Sequence, residues 1–200
     1  MKSYDRPTLA AIARNVIKKY DPYLLYCEPC AVPIEKITEQ FYGLDVEYCH
    51  LRKNGLVLGC TIFDNTLLPI WDADECQYGV MRVNGGTIVI EASLLDERKQ
   101  GRLRFTFAHE LAHWLLHKEL YVGEGIAAAS AIKTSLEVNP VVERQADVLA
   151  SYLLMPKNQV KRAFYAIQDK PNPTSYLSSL FGVSKQAMGI FLKDHNLPHA

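Results

Sequence analysis

Apolar residues at two different spacings divide the chain into a helical start, a strand-forming middle and a helical second half. Residues 7–20 (PTLAAIARNVIKKY) open on a proline and repeat apolar positions at helical spacing, and Asp21-Pro22 ends the pattern, so a first helix is predicted. Residues 33–42 (PIEKITEQFY) predict a second, stopped by Gly43. Short β-favouring runs follow at 44–48, 56–61 and 67–71, and Asn54-Gly55 signals a hairpin between the first two. A further β-branched run, residues 87–91 (TIVIE), follows Gly85-Gly86 and precedes the longest helical pattern.

That pattern, residues 102–117 (RLRFTFAHELAHWLLH), carries the chemistry. Projected as a helix, Thr106, His109, Glu110, His113 and His117 share one arc of about 100°, and apolar side chains fill the rest. A helix this apolar belongs in a core. Imidazoles and carboxylates left unpaired there are costly, so the arc has to face a metal, a cleft or a partner. His109 and His113 lie one turn apart and are placed to reach a single zinc ion, while Glu110 is rotated off the metal axis to hold a water. The plainer reading, two satisfied core histidines and a solvated Glu110, sits badly with so little polar surface.

A third ligand comes from residues 139–156 (NPVVERQADVLASYLLMP). Asn139 suits an N-cap, Pro140 the first helical position, and Pro156 limits the far end. Glu143 and Asp147, at i and i+4, face one way beside Ala146 and Ala150, whose small size allows a close helix approach. Glu143 completes a His-His-Glu set with an open fourth position, and Asp147 is placed to accept a hydrogen bond from a ligand imidazole. A solvated acidic face next to Arg144 is the bland alternative. His117 is no third ligand, because histidines at i, i+4 and i+8 of a straight helix do not converge on one ion. A second oxyanion donor or substrate contact is not placed by the sequence, and His117 and Tyr152 are the candidates.

RFTFAHELAH followed by ERQADVLASYLLMP resembles the ImmA/IrrE family of metallopeptidases, from about residue 86 to 155 and more loosely beyond. The resemblance implies His109, His113 and Glu143 as ligands of one Zn2+ and Glu110 as catalytic acid/base. It departs from the family pattern at Ala112, where Gly is common, and at Asp147, where Asn is common; neither removes a ligand. It further implies an α+β, zincin-like, gluzincin-type core: a small mixed sheet packed on the HEXXH helix and on a second, Glu-bearing helix. It also implies cytoplasmic action, often on a transcriptional repressor of a mobile element. An edge strand above the metal pairs with substrate backbone in zincins, and residues 87–91 are the candidate, with an ordinary core strand as the other reading.

Composition narrows the alternatives. At 200 residues the chain predicts one domain, with a core over about 1–156 and a helical appendage over 157–200. Its 22 basic and 22 acidic residues cancel, leaving no electrostatic footprint for nucleic acid or an anionic membrane. No leader or membrane span is evident, and five irregularly spaced cysteines argue against a secreted disulfide framework. Cys27-Glu-Pro-Cys30 reads as free thiols before a helix, rather than a redox pair or half a zinc site with Cys49 and His50. Residues 176–192 have a helix-turn-helix look, with Gly182 at the turn and Ser184 capping the second helix. The lack of basic surplus favours a packing role over DNA reading. Residues 121–138, rich in Gly, Ala and Ser, read as a mobile segment by the cleft or a plain connection. The rival to an enzyme is a catalytically quiet regulator stapled by zinc, which binds a repressor or another protein.

Overall fold

The structure, a computed structural model, describes residues 3–121, 139–167 and 171–197; the expectation for the segment at 121–138 falls outside them except for Tyr121. Helix α1 (Arg6–Tyr20) starts where Asp5 accepts the Thr8 N–H at 2.9 Å and carries Lys18 and Lys19 in its last turn, both favourable end chemistries. Helix α2 (Ile34–Lys36) runs into a π-helical turn (Ile37–Phe41) and stops at Gly43, whose φ is +64°. Strands β1 (Asp45–Cys49), β2 (Gly59–Ile62), β3 (Thr66–Asp72), β4 (Gln77–Val83) and β5 (Thr87–Glu91) fill the middle. Helices α3 (Gln100–Tyr121), α4 (Pro140–Leu154), α5 (Lys157–Ala166), α6 (Pro173–Phe181) and α7 (Lys185–Asp194) complete an α+β fold of the zincin-like kind.

Sheet order corrects two expectations. Asn54-Gly55 does turn the chain: Gly55 has φ +61° and its N–H bonds the Arg52 carbonyl at 3.0 Å. Yet β1 and β2 do not form a hairpin, because β5 lies between them, parallel to β1 and antiparallel to β2. Nor is β5 an edge. All five of its residues are buried, and an unbroken β-branched run covered on both faces belongs in the centre of a sheet. The edge nearest α3 is β2. The β3–β4 hairpin forms a separate ribbon whose second strand the apolar pattern did not reveal, since β4 is mostly solvent-facing. Asp72 shapes its turn by accepting the N–H groups of Asp74 and Glu75, each at 3.0 Å.

Alternation along the strands splits the apolar interior into two layers. Ile88 and Ile90 face the helices, in one cluster with Phe107 and Leu111 of α3 and Leu149 and Leu153 of α4. Cys60, Ile62 and Val89 point the other way, onto Leu68 and Val83 of the ribbon. Phe63, just past β2, stacks on Trp114 (5.7 Å) and Tyr121 (5.2 Å), fastening that strand to α3. At the C-terminal end, Gly182 caps α6 at φ +63° and Ser184 accepts the Ala187 N–H at 3.0 Å, giving the foreseen helix-turn-helix outline. Phe181, Met188, Phe191 and Leu192 bury into the same cluster as α1, α3 and α4, so these helices pack.

Arg104 sets where α3 starts. Its guanidinium holds both Glu35 carboxylate oxygens at 3.0 Å, the Gly182 carbonyl at 3.1 Å and the Val32 carbonyl. Arg104→Ala is expected to cost about 2–3 kcal/mol, somewhat less than breaking a fully buried pair, because Glu35 is partly exposed. Chemical denaturation of both proteins at matched metal content checks this.

Candidate metal centre

Helices α3 and α4 meet through alanines. Ala108 and Ala112 on one and Ala146 and Ala150 on the other are fully buried, and side chains this small let the backbones come close. Asn139 accepts the Val141 N–H at 3.0 Å, which starts α4 and puts Glu143 in its first turn, where a carboxylate suits the helix dipole. Asn139 and Pro140 thereby deliver Glu143 to the two histidines of α3.

The three donors converge. His109 Nε2 and His113 Nε2 are 2.9 Å apart, and the Glu143 carboxylate lies 3.2 Å from the first and 3.6 Å from the second. One ligand atom from each falls within a 4.8 Å group, the one such group among the described residues. Tetrahedral ligands at about 2.0–2.1 Å from zinc stand roughly 3.3 Å from one another, so the spacing fits a four-coordinate ion with one position left over. Two imidazoles and a carboxylate are also a donor set that a borderline cation accepts.

Both imidazoles are held from behind. His109 Nδ1 is 3.0 Å from Asp147 Oδ1, so its N–H points at the carboxylate and its Nε2 at the ion site. His113 Nδ1 is 3.2 Å from His117 Nδ1, and His117 Nε2 is 3.2 Å from Gln145 Oε1. Read from the Gln145 carbonyl inward, His117 Nε2–H donates to it and His117 Nδ1 accepts from His113, leaving the His113 Nε2 lone pair for a metal. Burial pushes the His117 imidazole down to about 4, so it acts as a neutral link. Burial also opposes charge on His109, but bonds to Asp147 and Glu143 override it and hold this imidazole up at about 10. Glu143 is the counterpart: burial favours its neutral form, and bonds to His109 and His113 take it well below the usual carboxylate range. Without an ion, the site stores a proton on the imidazole side.

Glu110 is buried at 6% exposure, on α3 between the two ligand histidines. Thr61 Oγ1 lies 2.8 Å from its Oε2. No spacing in the sequence links positions 61 and 110. Gln145 was missed as well, although its place between Glu143 and Asp147 was a usable hint.

Residues 76–193 match the family model described as IrrE N-terminal-like domain, Peptidase_M78. The chain belongs to this family. Membership gives the Peptidase_M78 chain a metallopeptidase kinship, and its His-His-Glu group is compatible with a metal ion. Among solved structures, a Mycobacterium tuberculosis transcriptional regulator is similar at 12% identity with a TM-score of 0.52, over 92% of this chain and 55% of that one. At that identity the likeness is one of fold, and the chain spans about half the length of the regulator. Among curated proteins, none matches.

Two of the sequence candidates fall away from the centre of this Peptidase_M78 member. Tyr152 lies nine residues beyond Glu143, half a turn round and about 13 Å along α4. Its ring meets Phe191 and His195 at 6.2 and 5.7 Å, so it is not brought to the ligand group. With Asp147, Phe105 and Ile190 it lines a cleft of about 620 Å³ between α3, α4 and α7. His117 is buried, with its two ring nitrogens against His113 and Gln145. Cys27 and Cys30 sit with their sulfurs 3.9 Å apart as free thiols, and His50 bonds Glu91 at 2.8 Å instead of joining them. Among the described residues, no helix is long and apolar enough to cross a membrane.

A zinc ion held by this group would be bound about 10–100-fold more weakly in Asp147→Ala and in His117→Phe, the usual range for partners behind ligands. Competition with a chromophoric chelator measures it. Unchanged affinity in either variant would show that the ligand orients without that support.

Proposed function

We propose that this protein is a zinc-dependent endopeptidase that acts in the cytoplasm on a regulatory protein, with a helix-turn-helix repressor, such as one carried by a mobile element, as the favoured substrate class. The observation that carries the reading is the meeting of His109, His113 and Glu143 beside the Glu110 carboxylate. A structural zinc site fills all four positions with protein donors. Three donors with an acid/base group alongside fit hydrolysis better than a quiet staple. The free cysteines suit a reducing compartment. A DNA-reading role finds no support in the packed α6–α7 pair or the zero net charge.

Zinc, when bound, would supply a Lewis acid and lower the pKa of its water to roughly 7. His109, His113 and Glu143 would hold it, and Asp147 and His117 would keep the imidazole lone pairs aimed. Glu110 takes a proton as water attacks the scissile carbonyl and passes it to the leaving amine. An extended substrate has a place to lie. The carbonyls of Leu58 and Ile62 accept bonds from Glu91 and Gly86 on the β5 side. By alternation the backbone N–H and C=O groups of Gly59 and Thr61 turn outward along the β2 edge, where a peptide strand could add.

The test is incubation of zinc-loaded protein with candidate helix-turn-helix repressors, followed by mass spectrometry of the products. Defined fragments that vanish with chelator and in Glu110→Gln are expected. Stoichiometric zinc with an intact partner that nonetheless co-purifies would favour the non-catalytic regulator.

A further inference from the structure

We infer that strand β2 positions the general base, with Thr61 as a positioning residue and Gly59 as the clearance that lets it act; this rests on the peptidase reading above. Thr61 Oγ1 is 2.8 Å from Glu110 Oε2 and 2.9 Å from the Glu110 main-chain oxygen, and both residues are buried. The other carboxylate oxygen is met two residues earlier. A Cβ built on Gly59 would stand 2.9 Å from Glu110 Oε1, 3.0 Å from Glu110 Cγ and 2.8 Å from Thr106 Cγ2. The backbone of Gly59 is not left-handed, so space, not conformation, demands glycine here. One carboxylate oxygen is thus within reach of the hydroxyl's single proton, which the main-chain oxygen also draws on, and the other occupies space that a Cβ at residue 59 would need.

A glutamate has three side-chain torsions, and a free one spends little time in any single orientation. Contact from β2 on both oxygens narrows that range before substrate arrives, and preorganisation of this kind is where much of a rate enhancement resides. The same two residues turn their backbone polar groups to the open edge. A peptide strand paired with Gly59 and Thr61 would press on the strand that holds Glu110, so backbone recognition and base placement share one element. The Phe63–Trp114 stack just beyond β2 keeps that strand from drifting off α3.

Three variants separate this from simple burial of a polar group. Thr61→Val keeps volume and loses the hydroxyl, Thr61→Ser keeps the hydroxyl and loses a methyl, and Gly59→Ala adds the Cβ. Crystal structures of the metal-free variants are expected to show the Glu110 side chain turned in Thr61→Val and Gly59→Ala and unmoved in Thr61→Ser. Zinc affinity should stay within about twofold, since no ligand is touched. With fluorescein-labelled casein as probe, kcat should drop about 10–100-fold in Thr61→Val and Gly59→Ala, with KM little changed, and recover in Thr61→Ser. An unmoved Glu110 in Thr61→Val, or a serine variant as impaired as the valine one, would overturn the inference. Thermal unfolding identifies a variant that fails to fold; Thr61→Ser and Gly59→Ala then decide through the Glu110 rotamer. If the wild type cleaves neither casein nor any candidate helix-turn-helix repressor, the peptidase reading fails by itself, while the metal-free structures still decide whether β2 holds Glu110.

Discussion

Glu110→Gln is expected to retain one zinc per chain and to lose hydrolysis by at least about 10²–10⁴-fold, the contribution of a positioned acid/base group. The substitution preserves shape: a glutamine carbonyl still accepts from Thr61, and the side chain still fits under Gly59. What disappears is the capacity to take a proton from water and return it to an amine. Zinc content by atomic absorption, the melting temperature and cleavage of candidate repressors give three independent readings. Loss of cleavage with zinc and stability intact assigns the proton transfer to Glu110. Full activity would discard that assignment, and loss of zinc would make Glu110 part of the metal's support instead.

The His-His-Glu group was legible because its parts lie on helices, where chemistry has a period. His109 and His113 are four apart, as are Glu143 and Asp147, and caps at Asn139 and Pro140 fix the register of the second pair. Ala146 and Ala150 announced the close helix contact that lets the pairs meet. The sheet was less legible. Residues 87–91 read correctly as a strand, but a local pattern does not say which neighbours a strand takes. The sign that β5 is central, a β-branched run from Thr87 to Ile90 with apolar residues on both faces, was present, but the edge-strand alternative drawn from zincins stood beside it, and the turn signal at Asn54-Gly55 suggested a β1–β2 pairing. Thr61 and Gly59 were illegible for a different reason. Their partner is 49 residues away from Thr61, and nothing in a strand's own alternation names the helix it will face. Tyr152 lies half a turn round from Glu143, because sharing a helix is not sharing a face.

Glu143→Ala is expected to reduce zinc affinity by more than about 100-fold, beyond the range seen for partners behind the ligands, because it leaves two donors where the wild type has three. It should also change how the metal-free protein responds to pH. His109 is raised from 6.5 to about 10, so its contribution to stability is complete below 6.5 and fades as pH rises toward 10. Glu143 is lowered from 4.5, so its contribution is present above 4.5 and fades as pH falls. Both are complete between those two ordinary values, and there the metal-free wild type should exceed Glu143→Ala in stability by the largest margin, closing on either side. The same charges govern metal uptake. Below about pH 10 an ion has to displace the His109 proton, so zinc affinity should climb by up to about tenfold per pH unit through neutrality. Titration calorimetry in buffers of different ionisation enthalpy should find close to one proton released per zinc bound by the wild type. Zinc uptake without proton release would mean that His109 is already neutral in the metal-free site. Stoichiometric, tightly held zinc in Glu143→Ala would place the third donor on another residue, and the hydrolytic reading would then lose the geometry on which it depends.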